Sequence, residues 1–402
     1  MASRTRPYDI ILFGATGFTG QLTADYLLKC AEPVRLALAG RNPEKLAHIR
    51  DVLMADNPGI TAPDILTADS YDRASLEALC AQTRVVITTV GPYLLYGEPL
   101  VAACVSQGCD YVDLTGEPQF VSNMQQAHGA AARAKGVKIV HCCGFDSIPH
   151  DLGVYFTLEE LAARYGRDVL AQSTVEVEGF VRGFGDISGG TWNSAINAMP
   201  AWKQFVRDRR RQHHQTLSGR NIRLVEKPAL KKVADGWAAP LPTIDPAIVV
   251  QSAARYRFYG KDFSYAHFAV TPQLARIAVT GAAIAGVFVV AQFNAGREWL
   301  GKRRPSGAGP APEVRAKHWY TVDFEADVKL PGKPVLHFRT QVSGGDPGYD
   351  ETAKMLAESA LCLALDGKSL PAHFGVVTPA EAMGGKLVER LKNAGMGFEV
   401  RG

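Results

Sequence analysis

The sequence predicts an α/β protein, in which an N-terminal Rossmann-type doubly wound parallel sheet precedes a second α+β domain built on an antiparallel sheet. Three observations predict this fold class. Short apolar runs alternate with helical stretches up to about residue 145, as in a parallel sheet covered by helices. A glycine-rich turn follows the first apolar run. Past residue 150, stretches alternate between apolar and polar residues, which is typical of half-exposed antiparallel strands.

Composition and charge limit the class of protein. The chain has 402 residues, of which 47% are hydrophobic and 21% charged, so it can bury the cores of two or three domains. A net charge of +4 is too small to predict a nucleic-acid partner. The seven cysteines form no C-x-x-C motif, and residues 1–20 lack a signal-peptide core. We therefore expect a cytoplasmic protein with neither a disulfide framework nor a metal site.

The first predicted element is a strand, Ile10 to Phe13, that runs into glycines at positions 14, 17 and 20 and then into a helix. The free N–H groups and the dipole of such a helix start bind phosphate. Gly14 permits the tight turn, Gly17 lets a pyrophosphate approach, and Gly20 allows close helix–strand packing. The alternative is an ordinary turn with chance glycines, since the spacing is not G-x-G-x-x-G. The predicted cofactor contacts are Gly14, Ala15, Thr16, Gly17, Phe18, Thr19 and Gly20.

Five further strands and their helices complete the predicted first domain, residues 1–150. Each strand is a short apolar run that ends at glycine, proline or a polar residue. The predicted strands are 34–39, 65–68, 85–90, 110–114 and 137–142, and the intervening helices are 43–54, 75–80, 99–107 and 117–134.

The end of the second predicted strand decides the cofactor. An NAD enzyme places an acidic residue there to bind the ribose 2′-hydroxyl, whereas this sequence continues with Arg41 and Asn42. Arg41 can pair with a 2′-phosphate, so the sequence predicts NADPH, bound by Arg41 and Asn42. Asp69, at the end of the third strand, is predicted to lie near the adenine. The alternatives are a solvated side chain for Arg41 and a helix cap for Asp69.

Residues 151–348 are predicted to form a substrate or dimerisation domain, which makes a homodimer an expectation. Residues 349–402 are predicted as C-terminal helices that pack back on the first domain. The predicted elements are helices at 152–164, 349–365 and 380–391, paired strands at 254–259 and 263–270, a further strand at 173–179, a hairpin of 319–328 with 335–342, and a proline-rich loop at 228–246.

Two stretches of the second domain indicate which partners the protein could bind. A helix predicted from Gly189 ends in a basic cluster, which suits an acidic carrier protein or membrane surface, or is only solvated. The uncharged stretch 277–293 is short for a membrane span and is predicted as a buried or partner-facing helix. The alternative is a helix against lipid, in a protein peripheral at the inner face of the plasma membrane. The basic cluster comprises Arg207, Arg209, Arg210, Arg211, His213 and His214.

Several short blocks resemble those of a known family. In order they are Gly-Ala-Thr-Gly-Phe-Thr-Gly (14–20), Ala-Gly-Arg-Asn (39–42), Val-Gly-Pro-Tyr (90–93), Tyr-Val-Asp-Leu-Thr-Gly-Glu (111–117) and Gly-Phe-Asp-Ser-Ile-Pro-His-Asp-Leu-Gly (144–153). The chain resembles the saccharopine dehydrogenase-like oxidoreductases, and more closely the trans-acting enoyl reductases of bacterial lipid and polyketide synthesis. Gly-Gly-Thr (189–191) and Thr-Pro-Ala (378–380) extend the resemblance over nearly the whole chain.

The resemblance implies an NADPH-dependent oxidoreductase with a Rossmann domain. In the enoyl reductase branch it also implies reduction of a carbon–carbon double bond on an acyl or lipid substrate, presented by a synthase or carrier protein. Two alternatives stay open. One is a reductase of an amino-acid-derived substrate, for which Arg182 and Arg255 are the candidate carboxylate ligands. The other is a non-catalytic NADPH-binding scaffold on lipid.

Enoyl reduction needs a hydride donor, a group that polarises the carbonyl and a proton for the α-carbon. Tyr93, Asp146 and His150 are the predicted catalytic residues, since each follows a strand at the edge where the nicotinamide belongs. The alternatives are a packed aromatic ring for Tyr93 and a helix cap for Asp146. The residues predicted to face the nicotinamide are Val90, Gly91 and Pro92.

Overall fold

A computed structural model of the chain describes residues 6–185, 189–201, 219–225, 229–303 and 309–402. The predicted basic cluster at 207–214 lies outside these residues. Two sheets form the centre of the described structure.

The first sheet confirms the predicted doubly wound architecture. Its strands are β1 (Tyr8–Phe13), β2 (Leu36–Gly40), β3 (Asp64–Thr67), β4 (Thr83–Thr88), β5 (Asp110–Asp113), β6 (Lys138–Val140) and β14 (Gly375–Val377). All pair in parallel, in the order β14-β6-β5-β4-β1-β2-β3. The order reverses between β1 and β4, which places the expected ligand crevice at the carboxyl ends of these two strands.

Seven helices accompany these strands in the described first domain. They are α1 (Phe18–Lys29), α2 (Pro43–Asp56), α3 (Arg73–Cys80), α4 (Tyr93–Tyr96), α5 (Glu98–Gln107), α6 (Pro118–Lys135) and α7 (Ile148–Tyr165). Helices α5 and α6 end at Gly108 and Gly136, whose φ of 68° and 67° is the left-handed conformation that glycine adopts without strain. The predicted boundaries of the strands and helices in the first domain are close to the observed ones.

The second sheet is mixed. Its strands are β7 (Thr174–Phe184), β8 (Asn221–Leu224), β9 (Lys231–Val233), β10 (Gly236–Pro240), β11 (Asp262–Thr271), β12 (Trp319–Lys329), β13 (Val335–Gly344) and β15 (Gly397–Arg401). The order is β15-β13-β12-β7-β11-β10-β9, and β8 also pairs with β11. Strand β11 runs parallel to β7 and β8, whereas the other pairs are antiparallel. The predicted β12–β13 hairpin is confirmed.

The helices described after residue 165 include one long apolar helix. They are α8 (Arg167–Ala171), α9 (Gly189–Ala198), α10 (Asp245–Arg255), α11 (Leu274–Ala291), α12 (Asn294–Arg303), α13 (Pro312–Arg315), α14 (Asp350–Leu365) and α15 (Pro379–Asn393). Helix α11 covers most of the stretch 277–293, which is predicted to be buried or to face a partner. Burial is wrong, because only 6% of the helix is buried, whereas contact with a partner stays a prediction.

Two other predictions of local structure are wrong. The segment 254–259 is not a strand, since α10 and a 3₁₀ turn occupy it. The Arg220 guanidinium donates hydrogen bonds to the carbonyls of Ala254, Tyr256 and Gly260 and so holds this helix end in place. The predicted loop at 228–246 contains β9, β10 and the start of α10. Gly236 makes the tight turn between these strands with a φ of 151°.

Several elements link the two sheets. Helix α7 leaves the first sheet and packs on β12 and β13, and Gly153 makes this close approach possible. A Cβ at Gly153 would lie 2.3 Å from the Phe324 ring. Helix α14 packs on α1 and the first sheet, while β14 extends the first sheet and β15 the second. These contacts place the carboxyl edge of the first sheet beside the second sheet.

Candidate active site

The glycine turn between β1 and α1 has the shape of a phosphate cradle. Gly14 has a φ of 97°, and a Cβ there would lie 2.7 Å from Thr89 Oγ1. A Cβ at Gly20 would lie 2.4 Å from the Gly14 carbonyl oxygen, so only glycine allows α1 to approach the turn this closely. Gly17 precedes the first residue of α1, and no side chain caps this helix start. The N–H groups there are thus available to an anion such as pyrophosphate.

The other residues of the turn have structural contacts as well. Ala15 is buried, and the carbonyls of Thr16 and Thr19 accept hydrogen bonds from Gln21 and Thr23. The Phe18 ring packs edge-on against Tyr349, with 5.1 Å between the ring centroids, and the Arg315 guanidinium lies 5.5 Å from its centroid. Phe18 thus anchors the turn to residues on either side of the β12–β13 hairpin, and its predicted cofactor contact stays a prediction.

Arg41 follows β2 at the surface, where a 2′-phosphate could be reached. Its side chain is exposed, and within the described ranges no carboxylate pairs with it. The Asn42 side chain caps α2, because its Oδ1 accepts a hydrogen bond from the Lys45 N–H at 2.8 Å. Asp69 Oδ1 accepts from the Tyr71 N–H, whereas Asp72 caps α3, so the helix-cap alternative for Asp69 is wrong.

We expect Arg41→Ala to weaken NADPH binding by about 10- to 100-fold, the loss of a charge-assisted contact to phosphate. NADH binding should hardly change, because NADH lacks the 2′-phosphate. Titration of the purified variant with each cofactor, followed by tryptophan fluorescence, measures both affinities. Arg50→Ala, on the helix α2 that follows Arg41, is the control and should change neither. An equal loss for NADH and NADPH would contradict the predicted role of Arg41.

The loop after β4 lies against the glycine turn. Thr89 Oγ1 donates a hydrogen bond to the Gly14 carbonyl at 3.0 Å, and the Val90 N–H donates to Thr88 Oγ1. The Gly91–Pro92 peptide bond is cis. Val90, Gly91 and Pro92 therefore stand at the switch point between β1 and β4, where a bound dinucleotide crosses the sheet edge.

Tyr93 lies below this edge. Its ring is 3% exposed, and its hydroxyl donates a hydrogen bond to the Thr88 carbonyl at 3.1 Å. Burial raises the pKa of the Tyr93 phenol well above its ordinary value. The Glu117 carboxylate accepts from the N–H groups of Tyr93 and Leu94 and so fixes the start of α4. This geometry favours the packed-aromatic alternative over proton donation by Tyr93.

Asp146 lies in the strained loop between β6 and α7. Among the described residues, the non-glycine residues with positive φ are Cys142 and Ser147, at 63° and 130°, one on each side of this loop. Such strain persists only where surrounding contacts impose it, and it clusters at functional sites. The Asp146 carboxyl faces Gly116, where a Cβ would lie 2.9 Å from Oδ2. The capping alternative is wrong, because Ser147 occupies the cap position of α7 and no side chain caps that helix.

His150 projects from α7 into a buried polar cluster. Its Nδ1 lies 3.6 Å from Oδ1 of Asp245, which begins α10, and its ring is 5.1 Å from the ring of His267 on β11. The Asp245 carboxylate accepts hydrogen bonds from the hydroxyls of Ser147 and Thr243. The structure therefore brings together groups from three distant parts of the chain.

The spacing of this cluster would also permit a metal ion, since the ligand atoms of His150, Asp245 and His267 lie within 4.8 Å of one another. The hydrogen bonds favour a different arrangement. Nε2 of His267 lies 2.9 Å from the Leu241 carbonyl, which requires a proton on that nitrogen. Both Asp245 oxygens already accept from hydroxyls, and Thr243 Oγ1 lies 2.9 Å from His267 Nε2, so we interpret Asp245, Thr243 and His267 as a hydrogen-bonded network. The two ring nitrogens of His150 lie beside this network and have no hydrogen-bond partner among the described residues.

The pKa values of the two carboxyl groups of the site, Asp146 and Asp245, are shifted in opposite directions. Burial, and then the charge of Asp245, raise the pKa of Asp146 to about 7. Burial would also raise the pKa of Asp245, but the positive charge that His150 and His267 carry when they are protonated, together with the two hydroxyl donors, lowers it overall. Burial lowers the pKa of His150. At neutral pH the site thus combines an ionised Asp245, a neutral His150 and an Asp146 that still holds a proton part of the time, a division typical of acid catalysis.

The arginines considered for an amino-acid substrate are already paired. Arg182 binds the carboxylates of Asp235 and Asp323, at 2.6 and 2.7 Å. Arg255 lies 3.4 Å from the Glu381 carboxylate. Neither side chain is therefore free to bind a substrate carboxylate without losing an ion pair.

The sequence reasoning missed Asp245 and His267. Asp245 sits in the stretch that was predicted as a loop, although Asp-Pro at 245–246 is a signal of a helix start. His267 is an isolated polar residue within the apolar strand Phe263–Ala269, which was a weaker signal.

Comparison with known proteins identifies the family of the chain. Residues 10–140 match the saccharopine dehydrogenase NADP-binding domain, and NADPH is therefore the cofactor. The chain is 34% identical, over 99% of both chains, to a Mycobacterium tuberculosis protein provisionally named as a trans-acting enoyl reductase. It is 33% identical, over 98% of both chains, to the trans-acting enoyl reductase of Mycobacterium leprae. Saccharopine dehydrogenase from Saccharomyces cerevisiae has the same fold, with a TM-score of 0.56 at 11% identity, over 98% of this chain and 100% of that one.

Proposed function

The chain belongs to the trans-acting enoyl reductases, a family of NADP-dependent oxidoreductases, and we propose that it reduces the carbon–carbon double bond of an acyl thioester. The acyl chain belongs to a lipid or polyketide intermediate held by a synthase or carrier protein. One observation carries the proposal at the level of residues: a carboxyl whose pKa is raised to about 7 lies at the carboxyl edge of the NADP-binding sheet.

The first requirement is a cofactor site with the right chemistry. The glycine turn leaves unpaired N–H groups at the start of α1, and the absence of side chains at Gly17 and Gly20 keeps the approach open. The exposed Arg41 lies at the end of the neighbouring strand, where a 2′-phosphate belongs. NADPH, when bound, supplies the hydride that adds to the β-carbon of the enoyl group.

The second requirement is a proton for the α-carbon. Asp146 is the donor that we propose, because a carboxyl with a pKa near the working pH is the most effective general acid. When the hydride adds to the β-carbon, the electron pair of the double bond moves onto the thioester as an enolate. The proton of Asp146 then forms the new C–H bond at the α-carbon, and the carboxylate that remains is reprotonated from solvent.

His150 and Asp245 position and tune this donor. The negative charge of Asp245 disfavours a second charge on Asp146 and so keeps it protonated. His150 is buried beside Asp245 and packs edge-on against the Phe145 ring, with centroids 5.8 Å apart. Phe145 in turn packs on Tyr320, at 4.8 Å. These rings provide an apolar wall that suits an acyl chain and excludes water from the enolate.

Turnover of a small substrate tests the proposal. Purified protein is mixed with an N-acetylcysteamine thioester of a trans-2-enoyl chain and NADPH deuterated at the transferable position. We expect NADPH oxidation that depends on the thioester, with deuterium at the β-carbon of the saturated product, as mass spectrometry of the product detects.

Two other outcomes would contradict the proposal. Oxidation of NADPH only when an amino acid and an aldehyde are supplied together would support the amino-acid alternative. Binding of NADPH without reduction of a free or carrier-bound enoyl thioester would support the scaffold alternative. The paired state of Arg182 and Arg255 already argues against the first of these.

A further inference from the structure

Helix α11 exposes an apolar surface that the described part of the chain leaves largely uncovered. Within the described residues it is the helix that is long and apolar enough to cross a membrane, judged by length and composition. Only 6% of its 18 residues are buried. Monomeric soluble proteins rarely expose contiguous apolar surface of this extent, which marks such a surface as an interaction site. Its most exposed large side chains are Leu274, Val279, Ile284 and Val289.

Helix α11 is apolar on all sides. The four exposed side chains follow one another at intervals of five residues, so each points about 140° away from the last around the axis. Between them lie mostly alanines and glycines, and from residue 277 to 293 there is no charge. A helix that merely rests on a protein partner or on headgroups has a polar face for water. Helix α11 lacks one, which suits insertion into hydrocarbon.

Cations and an aromatic residue border this surface. Arg276 lies in the first turn of α11, and α12 carries Arg297, Lys302 and Arg303. The only carboxylate between residues 271 and 303 is that of Glu298. Trp299 is 51% exposed, and the Arg303 guanidinium lies 4.0 Å from its ring centroid. Tryptophan and arginine of this kind are enriched at the boundary between acyl chains and headgroups, and a net positive border favours anionic lipid.

Both ends of α11 belong to the same folded body. Its N-terminal end follows β11, and the helix also contacts β10. At its C-terminal end Ala291 is buried with Ile196 and Leu300, which joins α11 to α9 and α12. A helix held at both ends by one body inserts into the near leaflet without carrying the chain across the membrane.

We propose that α11 inserts into the surface of an anionic lipid membrane and anchors the protein there as a peripheral enzyme. Strand β11, which carries His267 of the candidate active site, leads directly into this helix. The anchor thus holds the active site close to the membrane, where long acyl chains partition. The proposal rests on the exposed helix and its basic border, and it holds whether or not the enzyme reduces an enoyl group.

Flotation with lipid vesicles tests the anchor. Full-length protein is incubated with vesicles of phosphatidylcholine, with or without phosphatidylglycerol, and the bound fraction is measured after a density gradient. We expect at least tenfold stronger binding to the vesicles that contain phosphatidylglycerol, weakened by added salt. The double variant Val279→Asp/Ile284→Asp should lose at least tenfold in binding, because charges inside the acyl region are unfavourable.

Val52→Asp is the matched control, since Val52 is an exposed apolar residue of helix α2, and its binding should equal that of the natural chain. NADPH binding and turnover of a short, water-soluble thioester should be unchanged in all three proteins, which separates loss of anchoring from loss of folding or of catalysis. Equal vesicle binding by the double variant would overturn the proposal. So would a vesicle-independent dimer that the double variant dissociates, because a second copy would then cover α11.

Discussion

Replacement of Asp146 by Asn is expected to lower kcat for the enoyl thioester by about 100- to 1,000-fold, the usual contribution of a general acid. The amide keeps the shape of the side chain but has no acidic proton to give. NADPH affinity should be unchanged, because Asp146 lies beyond the glycine turn and the ribose site. Stopped-flow measurement of the hydride-transfer step, beside a direct cofactor titration, separates the two quantities.

The dependence of kcat on pH tests the same role of Asp146. Asp146 donates only while protonated, and its pKa is about 7. In the natural chain kcat should therefore be constant below pH 7 and fall about tenfold for each unit above it. In Asp245→Asn the charge that helps to raise the Asp146 pKa is gone, so the decline should begin at a lower pH. The shift is partial, because burial is the larger cause.

Asp110→Asn is the matched control. Asp110 is also a partly buried carboxyl whose pKa burial raises to about 7, but it starts β5 at the opposite edge of the sheet. Its replacement should leave the pH profile unchanged. A decline that persists unaltered in Asp146→Asn, or that disappears in Asp110→Asn, would show that another group supplies the proton.

The second large effect is expected in the glycine turn, where we compare two single variants, Gly20→Ala and Gly17→Ala. A Cβ at Gly20 would lie 2.4 Å from the Gly14 carbonyl oxygen, a backbone atom that cannot rotate away. Overpacking of this kind costs about 1–3 kcal/mol. Alanine regains at most about 1 kcal/mol through its higher helix propensity, so the clash outweighs it. Gly20→Ala should thus lower the melting temperature by a few degrees and abolish tight NADPH binding.

Gly17→Ala should behave differently. Gly17 has a φ of −77°, which any residue adopts, and its Cβ would lie 3.4 Å from the Gly14 carbonyl oxygen, near ordinary contact. The melting temperature without cofactor should be unchanged, while the new methyl group keeps the pyrophosphate from the backbone. Thermal melts with and without NADPH measure both quantities. An NADPH-induced stabilisation of Gly17→Ala equal to that of the natural chain would place the phosphates elsewhere.

The sequence predicted best those site residues that lie close in the chain to the strand that presents them. The glycine turn, the basic residue after β2 and the loop after β6 each lie within a few positions of the strand that presents them, so their placement followed from the strand assignments. Asp245 and His267 could not be assigned in this way. They reach His150 only because α10 packs on both α7 and β11, and no local pattern specifies that contact.

The environment of α11 could not be predicted for a related reason. A helix that is apolar on all sides has no stripe that distinguishes a core position from a surface one. Its composition fits burial, a partner or lipid equally well, and only the folded structure shows that the described chain leaves most of the helix uncovered. The strand assigned at 254–259 failed because aromatic content is a weak guide beside the fixed helix start at Pro246.

Strand β14 has a consequence for how the protein is made. It forms the edge of the NADP-binding sheet beside β6, yet the ribosome synthesises the whole second sheet except β15 before it reaches Gly375. During translation the β6 edge therefore stays open, with its N–H and C=O groups exposed to strand pairing with other chains. The NADP-binding domain can complete its sheet only after Val377 has been synthesised, so the β6 edge stays open to aggregation for longer than the early position of the domain in the sequence suggests.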